Sequence, residues 1–191
     1  VVDCDGVSSP ISPSLLVIAD GGRSPLGHKA GIAKTEKRYP QSALVAIVSS
    51  DRKHNDMAFE RFTRCGPIAL LPFGKSRFAL AWTLPTRQAQ LYAQLPNSEF
   101  LAQLQRDFGE RAGLFEQVGK RTVYPLRWTS VMPPSAPRTV LVGNAAHEVH
   151  PVAGQGFNLG LRDAAELADI IACATEKRQD IGHSTVVDHY A

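Results

Sequence analysis

Cysteine is scarce in this sequence. Cys4, Cys65 and Cys173 are the only three, an odd number set far apart and without a Cys-x-x-Cys pair. That usage excludes a disulfide framework and a cysteine-based zinc knuckle, and leads to the expectation of free thiols in a reduced, cytoplasmic setting. Long apolar runs are missing as well. No stretch approaches the roughly 20 residues of a membrane-spanning helix, so a helical integral membrane protein is not expected, while association with a membrane surface stays open. There is little excess of either charge. The 21 Lys and Arg residues face 18 Asp and Glu, for a net charge of +3. The basic residues, among them Lys34, Lys37, Arg38, Arg52, Lys53, Arg61 and Arg64, are scattered and not interleaved with aromatic residues, so no nucleic-acid surface is written here. No internal repeat or low-complexity segment occurs. No Ser–His–Asp set and no pair of catalytic acids emerges either, so no catalytic side chain is named.

What is present is a core-forming chain, 43% apolar, of a length for one or two domains. Its most informative stretch runs from Arg138 to Cys173. Thr139 to Val142 has the short β-branched pattern of a buried strand. Gly143 and Asn144 end it, and Pro151, Gly154 and Gly156 make an irregular loop. From about Asn158, the polar Arg162, Glu166 and Asp169 take one helical face and Leu161, Ala165, Ala168 and Ile171 another. The glycines therefore precede a helix N-terminus, where unpaired amides and the positive end of the dipole receive electron-rich ligands. Asp163 reads as a first-turn charge complementing that dipole. A second apolar run, Ser14 to Ala19, ends in the polar turn Asp20-Gly21-x-Arg23-Ser24. In open α/β sheets ligands sit at such strand ends.

Three familiar motifs fail here. Gly154-x-Gly156 continues to Gly160, one residue late for a dinucleotide fingerprint, and follows a proline loop. His147-Glu148-Val149-His150 is one residue short of zinc-protease spacing, so no metal is expected and the two histidines read as loop residues. Gly74-Lys75-Ser76 lacks the upstream glycine of a P-loop, because Ala69 stands there.

The remaining chain is rich in strands. Val1 to Gly6 reads as a strand and turn, and residues 28–40 as a connector. Strands are expected over Ala43–Val48, Met57–Arg64, Ile68–Phe73 and Arg77–Leu84, the last two joined by a hairpin turn at Gly74–Ser76. A helix is expected over Asn97–Phe108, with Ser98 as its cap. One strand follows over Val118–Trp128, and Met132–Pro137 is a stiff linker. Val186–Tyr190 begins another helix. Trp82, Trp128, Phe73 and Tyr124 are each either core or pocket lining.

The long pattern from Gly143-Asn144-Ala145-Ala146-His147 through Pro151, Gly154-Gln155-Gly156, Asn158, Gly160, Asp163-Ala164 and Leu167-Ala168 resembles the second flavin motif of the aromatic-ring hydroxylases. These are the FAD monooxygenases typified by para-hydroxybenzoate hydroxylase. Asp20-Gly21-x-Arg23 resembles the family's Asp-Gly motif, and the two occur in the family's order. The family usually has Asp where Asn144 stands, and the variant Gly-Asn-Ala-Ala is similar to the ubiquinone-biosynthesis branch. Asn keeps an acceptor oxygen without the charge.

The resemblance implies an α/β (α+β) fold: part of a Rossmann-like FAD-binding domain with an inserted β-sheet substrate domain. Residues 1–30 and 137–191 would belong to the former and 40–130 to the latter. It implies FAD contacts from Asp20, Gly21, Arg23, Asn144, Pro151, Gly154, Gln155, Gly156 and Asn158, and a substrate pocket bordered by Tyr124, Pro125 and Leu126. It implies NAD(P)H as reductant, O2, a C4a-hydroperoxide on the flavin, and a prenylated phenol as substrate. Partners would be other ubiquinone-biosynthesis proteins at the inner membrane and a second copy of the chain. The family's opening Gly-x-Gly-x-x-Gly segment, which holds the ADP half of FAD, is not matched here. The expectation is therefore an internal piece of a longer enzyme, inactive and without FAD by itself. Two alternatives stand beside this reading: a non-catalytic module that binds partners or lipid, and a flavin monooxygenase acting on another aromatic compound or an alkene.

Overall fold

The computed structural model describes residues 2–4, 7–151 and 154–191, with side chains from Pro10 onward apart from the two residues between Pro151 and Gly154. In chain order the strands are β1 Val2–Cys4, β2 Val7–Ser9, β3 Leu16–Ile18, β4 Thr35–Ser50, β5 Phe59–Phe62, β6 Pro67–Phe73, β7 Arg77–Pro85, β8 Phe115–Val118, β9 Thr122–Ser130, β10 Ser135–Ala136, β11 Thr139–Leu141 and β12 His147–Glu148. The helices are α1 Leu26–Lys29, α2 Thr86–Gln94, α3 Asn97–Phe108, α4 Gln155–Glu176 and α5 Ser184–Tyr190, with a 3-10 turn at Gly143–Ala145. The chain forms two compact units, Val1–Lys37 with Arg127–Ala191, and Arg38–Leu126.

In the first unit, β11 is the centre of a small sheet. It pairs in parallel with β3, in the register Leu16↔Thr139, Val17↔Val140 and Ile18↔Leu141, and antiparallel with β10. All three β11 residues are buried, as a β-branched apolar run in a central strand should be. Val140 packs with Leu167 of α4 and Val187 of α5. Arg138, at φ +55, leads into β11. Its guanidinium donates to the Ser14 carbonyl at 2.8 Å and pairs with Asp180, which in turn accepts the Gly182 amide at 3.0 Å. Val2–Cys4 and Val7–Ser9 form an antiparallel pair. Val1, Asp5 and Gly6 of the expected strand and turn lie outside the described residues.

In the second unit, β4, β7, β6 and β5 follow one another as antiparallel neighbours, and β8 pairs with the end of β4. Alternate residues of each strand point to one face. Leu44, Val48, Ile68, Leu70, Phe78, Leu80 and Trp82 are buried there against Ala89 of α2 and Phe100, Leu104 and Phe108 of α3. α3 takes the expected bounds, because its three buried aromatic and leucine residues fall at spacings of four. Burying Phe100 alone is worth about 1.5–3 kcal/mol.

Several expectations need correction. The connector over 28–40 ends early, because β4 begins at Thr35. Its first residues are exposed and polar, so no alternation announces them. The single strand over Val118–Trp128 is two strands, β8 and β9, broken at Gly119–Arg121. The linker over 132–137 contributes β10. α2 went unread, and α3 starts behind Pro96 without a side-chain cap, so Ser98 does not cap it. α4 begins at Gln155 rather than Asn158, which puts Asp163 in its third turn and leaves no acidic residue in its first. His147 and Glu148 are strand residues, paired with Ser130 and Thr129 of β9. Val140 is 0% exposed, whereas Leu16 and Val17 are 43% and 41% exposed on the outer strand β3.

Candidate functional site

Two adjacent parallel strands place the first two motifs together. Ile18 and Leu141 are register partners, and the Val142 amide donates to the Ile18 carbonyl at 3.0 Å. The turns that follow, Asp20-Gly21-Gly22 and Gly143–Ala145, therefore leave the same end of the sheet, the carboxyl end where ligands bind in such folds. The turns touch at Gly22. A Cβ built there would lie 2.7 Å from Glu148 Oε2, 3.0 Å from the Asn144 carbonyl oxygen and 3.1 Å from an Arg127 guanidinium nitrogen. Glycine allows this approach without displacing its neighbours. Lys34 Nζ donates to the Gly22 carbonyl at 2.6 Å, and Arg127 Nε donates to Glu148 at 2.5 Å. A cavity of about 60 Å³ opens beside the first turn, lined by Asp20, Gly21, Ser24, Lys34, Ile18 and Leu141 among others. Asp20, Arg23 and Asn144 are exposed, and Gly21 is half-buried.

The third set of residues lies at the start of α4. Gly154 is the N-cap, held at φ +61 and ψ 25, and its amide donates to the Pro151 carbonyl at 3.1 Å. Pro151 lies four residues ahead of the helix, outside its first turn. A glycine cap brings no side-chain acceptor, so the first-turn amides over Gln155–Asn158 are not capped by the residue that precedes them. Gly154, Gln155 and Asn158 are exposed and Gly156 is half-buried. Further along the helix, the Gly143 amide donates to Asp163 Oδ2 at 2.8 Å. His147 Nε2 lies 3.3 Å from the same oxygen, close enough for an ion pair but without hydrogen-bond alignment. Burial lowers the pKa of His150 below that of an ordinary imidazole, which favours the neutral ring beside this loop.

The residues read as a substrate border belong to the second unit. Tyr124 is 50% exposed, Pro125 is exposed and Leu126 is buried. Trp82 is plain core, 0% exposed between Tyr92 and Phe100. Phe73 is exposed beneath the Arg77 guanidinium, 5.0 Å from its ring centre, and Trp128 is half-buried. Among the described residues no group of His, Cys, Asp or Glu side chains could hold a metal ion, and no helix is long and apolar enough to cross a membrane.

Sequence reasoning missed Gly22, Lys34, Arg127, Glu148 and the task of Asp163. Gly22 had a signal, since a glycine doublet after a strand invites a close approach. The others act on groups far away in the chain and had none.

The family model described as FAD binding domain matches residues 1–189. Ubiquinone hydroxylase UbiL of Rhodospirillum rubrum is 39% identical over 194 residues, covering 98% of this chain and 45% of the relative. The 3-demethoxyubiquinol 3-hydroxylase of Escherichia coli is 33% identical over 165 residues, covering 86% and 42%. Among solved structures, pqsL of Pseudomonas aeruginosa, a probable FAD-dependent monooxygenase, superposes with a TM-score of 0.76 at 23% identity, over 93% of this chain and 50% of that one. That likeness concerns the fold. The chain spans about half the length of the curated relatives it matches.

Proposed function

The chain belongs to the FAD-binding-domain family, and from that premise we propose that the whole protein is an NAD(P)H- and FAD-dependent monooxygenase. Its substrate is a prenylated phenol, hydroxylated with O2 in ubiquinone biosynthesis, and its setting is the cytoplasm at the inner-membrane surface. The observation that carries this reading is the meeting of Asp20–Gly22 and Gly143–Ala145 at the carboxyl ends of two parallel neighbours, in a chain whose relatives bear the names of ubiquinone hydroxylases.

The residues present fit the flavin, ribityl and pyrophosphate parts of FAD. A Cβ at Gly21 or Gly154 would meet nothing within 4 Å, so the backbone there is open to a ligand. The two polar side chains Asp20 and Asn144 are exposed at the same strand ends. In this reading Asn144 Oδ1 accepts a ribityl hydroxyl, and the Asp20–Arg23 turn serves the pyrophosphate side. The first amides of α4 donate to the electron-rich edge of the ring system, where they favour the reduced state. Bound flavin supplies the redox chemistry, accepting electrons from NAD(P)H and activating O2. The chain itself binds, orients and excludes water, and for that it needs no nucleophile or acid–base pair. Tyr124, Pro125 and Leu126 are the proposed border of the phenol pocket.

A deletion strain tests the assignment. Loss of the gene should lower ubiquinone and accumulate a prenylated phenol lacking one hydroxyl, and the full-length gene should reverse both. Normal ubiquinone without an accumulated precursor would sink it.

A further inference from the structure

We propose that Asp163 is a positioning residue, which registers the Asn144 turn against the N-terminus of α4 so that a cofactor meets both as one preformed surface. The inference rests on the function proposed above and assigns Asp163 a task within it.

The geometry is specific. Gly143 opens the 3-10 turn Gly143–Ala145 in a left-handed conformation, at φ +58. The amide that starts such a turn has no partner inside it, and a donor shielded from water is costly to leave unpaired. Asp163 Oδ2 supplies the acceptor from α4 at 2.8 Å, so the helix caps a turn twenty residues earlier in the chain. The two elements also meet backbone to backbone: a Cβ at Gly160 would lie 3.3 Å from Gly143 Cα. His147, on the strand that follows the turn, brings Nε2 to 3.3 Å from the same carboxylate oxygen.

One side chain thus touches both ends of the Gly143–His147 segment. It sits on α4, whose first turn begins at Gln155. Asp163 lies eight residues beyond Gln155, about 12 Å along a rigid helix at 1.5 Å per residue. A flavin that contacts Asn144 and the helix start bridges two segments whose spacing this carboxylate fixes beforehand. Fixing it beforehand raises affinity without adding a contact. The aspartate itself touches no cofactor in this scheme.

The test is FAD titration into the apo form of the full-length protein, followed by flavin fluorescence, with the thermal midpoint of each apo variant measured alongside. Asp163→Leu is expected to raise the Kd for FAD about tenfold or more, a change of about 1.4 kcal/mol. Asp163→Asn should stay within about threefold, because its Oδ1 still accepts the Gly143 amide. In a double-mutant cycle, adding Asn144→Leu to Asp163→Leu should cost clearly less than Asn144→Leu costs alone. If Asp163→Leu does not fold, Asp163→Ser replaces it with the same expected result. A Leu variant that binds FAD like the parent, an Asn variant no better than Leu, or an additive cycle overturns the proposal alone. A parent that binds no FAD overturns the proposed function and this inference with it.

Discussion

Gly22 and Asn144 belong to turns more than a hundred residues apart in the chain, yet they approach so closely that a side chain on Gly22 would press on the Asn144 backbone. A Cβ on Gly22 would stand 3.0 Å from the Asn144 carbonyl oxygen and 2.7 Å from Glu148 Oε2. Glu148 can swing away at the expense of its bond to Arg127, but the carbonyl is backbone and must move with its turn. Gly22→Val in the full-length protein should therefore weaken FAD binding about tenfold or more and destabilise the fold by about 1–3 kcal/mol, as overpacked sites do. FAD titration and urea unfolding measure the two effects. Parent-like affinity in Gly22→Val would separate the first turn from the cofactor.

The two loop glycines should part company. Gly154 holds φ +61 with open space around its missing Cβ, so its demand is conformational. Gly154→Val forces a β-branched residue into the left-handed region, at about 1–2 kcal/mol, whereas Gly154→Asn should be tolerated. Gly156 has an ordinary φ, and a Cβ there would touch Val149 Cγ2 at an unstrained 3.8 Å. Gly156→Ala should stabilise the apo-protein by up to about 1 kcal/mol through helix propensity. It should nonetheless reduce flavin occupancy, because the methyl group intrudes where the ring system approaches. A stabilised variant with full flavin content would remove Gly156 from the site.

Asn144 is exposed in the 3-10 turn, so its replacement should leave apo stability within about 0.5 kcal/mol, as at other surface positions. Affinity should respond differently. Asn144→Asp retains the acceptor oxygen and should bind FAD nearly as the parent does. Asn144→Leu leaves a ribityl hydroxyl unpaired, a loss of about 1–3 kcal/mol. Equal affinities for the Leu variant and the parent, measured by fluorescence titration of apo-protein, would refute the role.

How much of this was legible depended on how local the cause is. β3, β11, the β6–β7 hairpin and α3 follow from apolar runs, a turn tripeptide and one helical stripe, all visible within a dozen residues. α2 was not legible, because Thr86–Gln94 is short and mostly polar, and the face it turns to the core is only Ala89 with the partly buried Tyr92 and Ala93. Likewise the first part of β4 is polar and exposed, and its strand character comes from its place in the sheet. Gly154 and Gly156 read as loop glycines, although one caps α4 and the other lies in its first turn. At the site, Asp20, Gly21, Arg23 and Asn144 could be named in advance, because the turns themselves carry the signal, but Gly22, where the turns touch, was not among them. Lys34, Glu148 and Asp163 could not, since Lys34 and Asp163 bond backbone groups, and Glu148 the Arg127 guanidinium, that only the fold brings near.

The far side of β11 gives a prediction independent of any cofactor. Tyr190 Oη on α5 donates to the Leu141 carbonyl at 2.9 Å. Burial first, and then the negative charges of Asp163 and Glu166, push its phenol well above its ordinary pKa of about 10. The sign of the pH effect follows. Below about pH 10 the phenol is protonated in both the folded and the unfolded chain, and its contribution to stability is fully present. Above that value the unfolded chain loses the proton while the folded chain keeps it. The unfolded state then binds fewer protons, and stability falls as pH rises. Tyr190→Phe loses the hydrogen bond, at about 1 kcal/mol near neutral pH, but it also loses this alkaline penalty. Urea unfolding of the full-length protein from about pH 8 to about pH 11 should therefore show the parent and variant curves converging as the medium becomes alkaline. Comparing the two proteins cancels the other tyrosines and the lysines, which titrate in both. Curves that stay parallel over that range would mean that the phenol ionises as readily in the folded chain as in the unfolded one, and that the packing of α5 against Leu141 is looser than the 2.9 Å bond implies.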